Sequence, residues 1–387
     1  MDSYLFIAIR MSNNSHMRIK NVTIERMEEV EQPIYPSAKP TDPYRDIIGE
    51  LSPVSAALVN KIAYLKLTTE DGVFSILPTS QQVADAVVFM GSLIVNMDVS
   101  DISKAWDMLY RRTLSIGRSG LIMHALSTIN LMMYDVFAIN FGVPVYKILG
   151  GKTRDKIRAY ASHLHPLPKD QLEKEALSYI EDGYRAMKMR FIAGPSDIYG
   201  VEKNLELLKI VREAVGYDIE LAADAWMSWN LNFAQRMLMR AEKYELSWVE
   251  EPLLPDDFEG YKELNRKVET RISAGEHHYH VYDFHRLIES GIRILQPDAV
   301  WVGGITPMKK IVALAEAYGA VVIPHTSNIY NLHVIMSEPQ HLTPMAEYLT
   351  KYKRWIEQHA VNIPKPKEGY LTLPEGPGFG IKYDFDQ

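Results

Sequence analysis

The sequence predicts an α/β protein: a modified (β/α)8 barrel, TIM-like, with an N-terminal α+β capping domain. Three observations carry this. From Ile157 onward, short strand-type runs alternate with helical segments: IRAYAS, YRAMKMR, ELAADA, SWVEEP, ISAGE, IRILQPD, VVIPHT and AEYL. Three consecutive runs end in carboxylates at equal spacing, Asp224, Glu250 and Glu276, 26 residues apart each time. That interval is about one strand–loop–helix–loop unit of a parallel sheet. Before Ile157 the order differs, strands first and helices after, which marks a separate α+β unit.

Composition bounds the rest. A chain of 387 residues is too long for one hydrophobic core and suits roughly two domains. An apolar fraction of 47% and a charged fraction of 24% are ordinary for a folded soluble protein. A net charge of −7 gives no electrostatic case for nucleic acid or a membrane surface as partner. The absence of cysteine excludes disulfides, thiolate catalysis and cysteine-ligated zinc. The early apolar run Leu5–Ile9 is short and follows Asp2, unlike a secretion signal, and no later run reads as a membrane span. The expected location is the cytoplasm. Residues 1–16, with the polar Ser12-Asn13-Asn14-Ser15, are expected to be disordered.

The capping domain is assigned to residues 17–147. A strand from Arg18 leads to a proline-rich loop, Pro33–Pro53, and then a hairpin: Leu58–Thr68, a turn at Glu70-Asp71-Gly72, and a return strand from Val73. Helices are predicted over 81–95, 101–114 with Ser100 as N-cap, and 120–140. The boundary lies in KILGGKTRDK (147–156), where two glycines break the chain, and the barrel takes 148–352. Helical periodicity after the third strand shows in Phe233, Met237, Leu238, Ala241 and Tyr244. The helix after the sixth strand has Thr306 as expected N-cap, Pro307 at the first position and Gly319 closing. The tail 353–387, rich in proline and glycine, is expected to return to the capping domain rather than extend the barrel.

Acids at the C-terminal ends of successive barrel strands converge on one point. Asp224, Glu250 and Glu276 would repel one another without a cation, and an all-oxygen set suits a hard divalent ion, above all one Mg²⁺ per subunit. Against this stands the plain reading of three unrelated loop acids, which the repeated interval disfavours. Lys188 and Arg190 stand two apart on the second strand and point the same way. Asp298 ends the sixth strand and His325 the seventh, 27 residues later (325 − 298), and Glu347 lies on the eighth. An aspartate beside a histidine favours the charged ring and raises its pKa, which suits a general base. A lone histidine under a loop is more often a satisfied polar residue, and the acid on the neighbouring strand tips the balance. His277, His278, His280 and His285 sit at divergent positions that do not suit a transition metal; His277, next to Glu276, is the one placed near substrate. Trp226 and Trp301 fit a pocket wall as well as plain packing, and Arg45 is a candidate substrate ligand.

This constellation resembles the enolase superfamily, in its mandelate-racemase-like branch. The words DAWMSWN, GEHH, QPDAVWVGG and PHTSNIY are similar to the rhamnonate-type acid sugar dehydratases. The resemblance implies removal of the α-proton of a sugar acid by His325 with Asp298 as its partner, then loss of water. It also implies Lys188 as a positive charge at the substrate carboxylate, Glu347 in protonated form as a hydrogen-bond donor, and a homo-oligomer such as an octamer. Many relatives carry a second lysine where this chain has Arg190, which stays protonated and argues against a racemase. The hairpin ends in FSILPTSQQ where relatives usually have glycines in a site-closing loop, so substrate choice stays open among rhamnonate, fuconate, gluconate, galactonate and arabinonate. A racemase or epimerase of the same fold and a non-catalytic metal-binding barrel are the alternatives.

Overall fold

The computed structural model describes residues 17–30, 37–44, 61–351 and 359–386. The expectations for residues 1–16, for Arg45 and for most of the Pro33–Pro53 loop fall outside the described residues.

Strands β1 (Ile19–Glu29), β2 (Lys61–Thr69) and β3 (Phe74–Ser80) pair antiparallel in that order. Their hairpin turns on Gly72, at φ +84, a conformation glycine adopts without strain. The FSILPTSQQ stretch is not a loop. Its first seven residues are β3, and Ser80 caps α1 (Gln81–Gly91) by accepting the Val83 amide. Helices α2 (Ile102–Thr113) and α3 (Leu121–Asn140) follow. Asp101, not Ser100, holds the N-cap position of α2, because the amide and hydroxyl of Ser100 both turn back to Asp98 Oδ1. α3 corrects another expectation: it is long and apolar enough to span a membrane. Its apolar character has a plainer cause, since most of it is buried between the capping strands and the barrel.

After α4 (Val145–Ile148), Gly150 and Gly151, both at positive φ, open the way to the barrel. Its parallel strands are β4 (Ile157–Leu164), β5 (Ala186–Arg190), β6 (Glu220–Asp224), β7 (Val249–Glu250), β8 (Ile272–Ala274), β9 (Ile294–Leu295), β10 (Val321–Val322) and β11 (Ala346–Leu349). The spatial order β10-β9-β8-β7-β6-β5-β4-β11 sets the eighth strand beside the first and curls the sheet round. At the seam between β10 and β11, the Val322 amide donates to the Leu342 carbonyl just before β11. Helices α5 (Lys169–Glu181), α6 (Gly200–Val215), α7 (Leu231–Ala241), α8 (Phe258–Lys267), α9 (His280–Glu289), α10 (Ile305–Ala317) and α11 (Ile329–Ser337) make the crossovers.

α10 begins earlier than expected. Gly304, at φ +92, is its N-cap, because Asn130 of α3 engages both the amide and the hydroxyl of Thr306. Any side chain at 304 would collide with Asn130. The tail reaches both units. The Phe379 amide donates to Asp135 of α3 at 2.7 Å, and His359 meets Glu28 of β1 at 2.7 Å. Contrary to expectation it also adds a short antiparallel strand, β12 (Tyr370–Leu371), to the foot of β4.

Strand alternation positions the site. Tyr160, Ala186, Ala222, Trp248, Ile294, Ile323 and Met345 form an apolar layer inside the barrel. Two residues further along the chain in each case come Ser162, Lys188, Asp224, Glu250, Gln296, His325 and Glu347, on the strands or just past their C-terminal ends. An apolar floor thus carries a polar roof. The fifth strand differs, since Gly275 at φ +146 redirects the chain before Glu276.

Candidate active site

Lys188 is fully buried in this roof. Its ammonium lies 2.5 Å from Glu250 Oε2, 2.8 Å from Glu347 Oε1 and 3.9 Å from Asp224 Oδ2. Burial works against the charge, but Glu250 and Glu347 outweigh it and hold the pKa well above the usual lysine value. The surrounding acids thus favour its charged form. Arg190 Nη1 lies 3.2 Å from Asp224 Oδ2, and that acid keeps the guanidinium charged against burial.

Asp224 and Glu250 each have one oxygen occupied by the protein and one left over. Asp224 Oδ1 accepts the Trp226 amide at 2.8 Å, while Oδ2 makes no hydrogen bond and has only the Arg190 and Lys188 cations near it. Glu250 Oε2 accepts from Lys188 and from Gln296 Nε2 at 2.7 Å, while Oε1 is buried without a partner. Burial raises the Glu250 pKa, and Asp224, Glu347 and Glu276 add to that against the pull of Lys188, to about 8. Carboxylate oxygens without a hydrogen bond, in a chamber that gathers Asp224, Glu250, Glu276 and Glu347, fit a hard divalent cation.

Glu347 departs from expectation. Burial would raise its pKa, but Lys188, His325 and the Thr326 amide at 2.8 Å draw it below the usual carboxylate range, toward the ionised form.

Glu276 Oε1 is 3.4 Å from His325 Nε2 and 3.8 Å from His277 Nε2. His325 Nδ1 donates to Asp298 Oδ2 at 3.0 Å, the contact the two adjacent strand ends predict. Asp298 is further fixed by the Val300 amide at 2.8 Å and Asn328 Nδ2 at 2.9 Å. With Nδ1 committed to Asp298, Nε2 is the nitrogen that faces the mouth. Burial lowers the His325 pKa, but Glu276 and Asp298 prevail and push it up to about 10.

Of the four clustered histidines, His277 alone turns into the mouth. His278 bonds to the Pro255 carbonyl, His280 stacks on Tyr282, and His285 pairs with Glu289. His277 is clamped by Glu251, whose two oxygens accept its Nδ1–H at 2.6 Å and its amide at 3.3 Å. Trp226 and Trp301 approach the His277 ring edge-on, at 6.0 and 5.4 Å between centroids. Among the described residues, Glu251, Glu276 and His277 form the group with ligand atoms all within 4.8 Å of one another. Asp224, Glu250 and Glu276 are more widely spread. Yet Glu251 is already satisfied: burial would raise its pKa, and His277 pulls it down to about 2. It forms a closed ion pair, not an open ligand set.

The sequence reading missed Glu251, Gln296 and His163. His163, next to last in β4, stands at φ +79, where the pairing with β5 slips between Ala161 and Leu164. Burial, then Arg190, keeps its ring neutral. The available signal was the strand-end rule, applied to seven strands and not to the first.

Residues 171–387 match the enolase C-terminal domain-like family. The chain belongs to that family. Outside the matched span lie β4 and the capping unit, and inside it lies every acid of the mouth. Over 306 residues the chain is 38% identical to a putative L-rhamnonate dehydratase of Caldivirga maquilingensis, covering 77% of this chain and 74% of that protein. It is 35% identical over 331 residues to an L-rhamnonate dehydratase of Saccharopolyspora erythraea, covering 82% of each. The crystal structure of a Gibberella zeae rhamnonate dehydratase complexed with Mg superposes with a TM-score of 0.85 at 25% identity, covering 97% of this chain and 96% of that one. This family member therefore shares the barrel and the capping architecture of an enolase-superfamily, mandelate-racemase-like enzyme.

Proposed function

We propose that the protein is a Mg²⁺-dependent acid sugar dehydratase of the L-rhamnonate type. The observation that carries this reading is the Asp298–His325 pair, 3.0 Å apart, on the same rim as Asp224, Glu250 and Glu276. Asp224 through Oδ2, Glu250 through Oε1 and Glu276 are the residues that would hold one Mg²⁺ per subunit. When bound, the ion supplies Lewis-acid stabilisation of charge on the substrate carboxylate and offsets the Glu276 charge that keeps His325 protonated.

The protein's own groups do the remainder. Lys188 and Arg190 bind the substrate carboxylate, and Arg190 takes no proton at any ordinary pH. Asp298 orients His325 so that Nε2 removes the α-proton. The C3–oxygen bond breaks, His325 returns its proton to the departing hydroxyl, and water leaves. The enol left behind tautomerises to a 2-keto-3-deoxy acid. Glu347, ionised and anchored by Lys188, orients that ammonium, while His277 and Trp226 contact the sugar chain. The capping unit, 17–147 with the 353–387 tail, closes the mouth against water. A cytoplasmic homo-oligomer completes the reading, and light scattering checks the assembly.

The test is incubation of the Mg²⁺-loaded protein in ²H₂O with a panel of aldonic acids. A 2-keto-3-deoxy product supports the dehydratase. Epimer without keto acid identifies a racemase, and neither product nor α-proton exchange identifies a non-catalytic barrel.

A further inference from the structure

α3 is seated on the barrel loops that follow β8 and β9. The Gly303 amide donates to Ser127 at 2.8 Å, and the Trp106 indole donates to the Gly303 carbonyl at 2.8 Å. One turn before Ser127, His124 enters between two loop aromatics, 4.9 Å from Trp301 and 6.0 Å from Tyr279 between ring centroids. Trp301 in turn stands 5.8 Å from His325 and 5.4 Å from His277. A capping helix thus brings an imidazole within one ring of the two histidines of the mouth. The Nε2 of that imidazole is buried and has no hydrogen-bond partner. Buried polar atoms are almost always paired, so an orphan beside a substrate chamber points to a partner that arrives with the ligand. Burial lowers the His124 pKa to about 4 and leaves the ring neutral at physiological pH. A neutral imidazole matches a hydroxyl, which can both donate and accept, better than a carboxylate.

The strand order says which part of a substrate would come close. β5, which carries Lys188 and Arg190, is four strands from β9 in an eight-strand ring, so the two face each other across the mouth. A carboxylate held at β5 sends the other end of the chain toward α3.

We infer that His124 is a specificity-determining residue whose Nε2 hydrogen-bonds a sugar-acid hydroxyl remote from the carboxylate. This rests on the sugar-acid reading above. The test is calorimetric binding to the Mg²⁺-loaded protein of L-rhamnonate, D-gluconate and D-galactonate, then of monodeoxy analogues of the tightest binder at each carbon beyond C3. In wild type, one analogue should bind about tenfold more weakly than the parent, the order expected of one neutral hydrogen bond. His124→Phe keeps the aromatic stack and removes the nitrogen. It should weaken the parent about tenfold and leave binding of that one analogue unchanged. Equal weakening of parent and all analogues would mean a packing role and overturn the inference. So would an unchanged affinity, which would mean that water fills Nε2. If His124→Phe does not fold, the wild-type analogue series decides alone: uniform binding across it overturns the inference. Binding without loss of water rejects the dehydratase reading and leaves this test standing, and a wild type that binds none of the acids overturns both.

Discussion

The two sides of the barrel mouth are furnished differently. Around Asp298 and His325, the chain satisfies itself. Asp298 accepts from His325, Val300, Asn328 and the Thr326 hydroxyl, and Asn331 holds the His325 carbonyl at 2.6 Å. Around β6 and β7, Glu250 Oε1 is buried with no donor, and Asp224 Oδ2 makes no hydrogen bond and has only the Arg190 guanidinium at 3.2 Å beside it. The first side is a finished device. The second is shaped for a positive charge that the polypeptide does not provide. Substitutions on the two sides should therefore fail in different ways, one losing proton transfer and the other losing the cation.

The largest expected effect is at His325. His325→Asn removes the base on the finished side and should abolish both dehydration and α-proton exchange, a loss at the upper end of the ~10²–10⁴-fold typical of acid–base help or beyond it. Mg²⁺ affinity, measured by calorimetry, should stay near wild type. Near-wild-type turnover would place the base elsewhere and would make Lys188 the first suspect. Asp298→Asn comes next. It leaves the imidazole in place but supports the wrong tautomer, and should lower turnover by roughly 10²-fold, less than His325→Asn. A comparable loss of Mg²⁺ affinity in either variant would dissolve the distinction between the two sides.

What could be read in advance follows the same division. The strand-end positions of Asp224, Glu250, Glu276, Asp298 and His325 were legible because side-chain alternation and a repeated interval are local properties of sequence. The spread of the three acids and the ionised state of Glu347 were not. Both depend on where Lys188 puts its single charge among buried carboxylates on β6, β7 and β11. Glu251 was passed over because its partner, His277, lies on the next strand's loop, 26 residues on (277 − 251). The N-cap of α10 was misread for a similar reason: Thr306 looked available until Asn130, 176 residues earlier (306 − 130), took both its polar groups. Local rules find elements; pairings across the fold decide what their side chains do.

A third buried acid calibrates the comparison. Asp135 on α3 meets only neutral donors, Ser75 Oγ at 2.6 Å and the Phe379 amide at 2.7 Å. Burial pushes its pKa up to about 6 from an ordinary 3.8, with both hydrogen bonds opposing. A folded-state pKa above the unfolded value means that the native state holds this proton more tightly. Stability from this group is therefore fully present below about pH 4, declines as pH rises toward 6, and is flat above that. The span of about 2 pH units corresponds to up to about 3 kcal/mol. Asp135→Asn keeps an acceptor for Phe379 and does not titrate. In urea unfolding, wild type should lose ground to this variant between pH 4 and 6. A constant difference across that window would show that burial raises carboxylates here less than assumed, and would weaken the same argument for Glu250.

The smallest expected effect separates the two candidate cation positions most sharply. An ion that binds only the native state, at about ten times its dissociation constant, stabilises the fold by about 1.4 kcal/mol. For a chain of this size that is roughly a degree or two in melting temperature. Wild type and His325→Asn should both show this rise on addition of Mg²⁺, because the base is not a ligand. Glu250→Gln should not, since an amide at that position keeps its contacts with Lys188 and Gln296 but loses the charge that the ion would neutralise. Glu251→Gln is the control. If Glu251, Glu276 and His277 held the ion, this substitution would cancel the rise and Glu250→Gln would leave it intact. The unpaired oxygen argues for the opposite outcome: Glu250 Oε1 has no hydrogen-bond partner, and both oxygens of Glu251 are already held by His277.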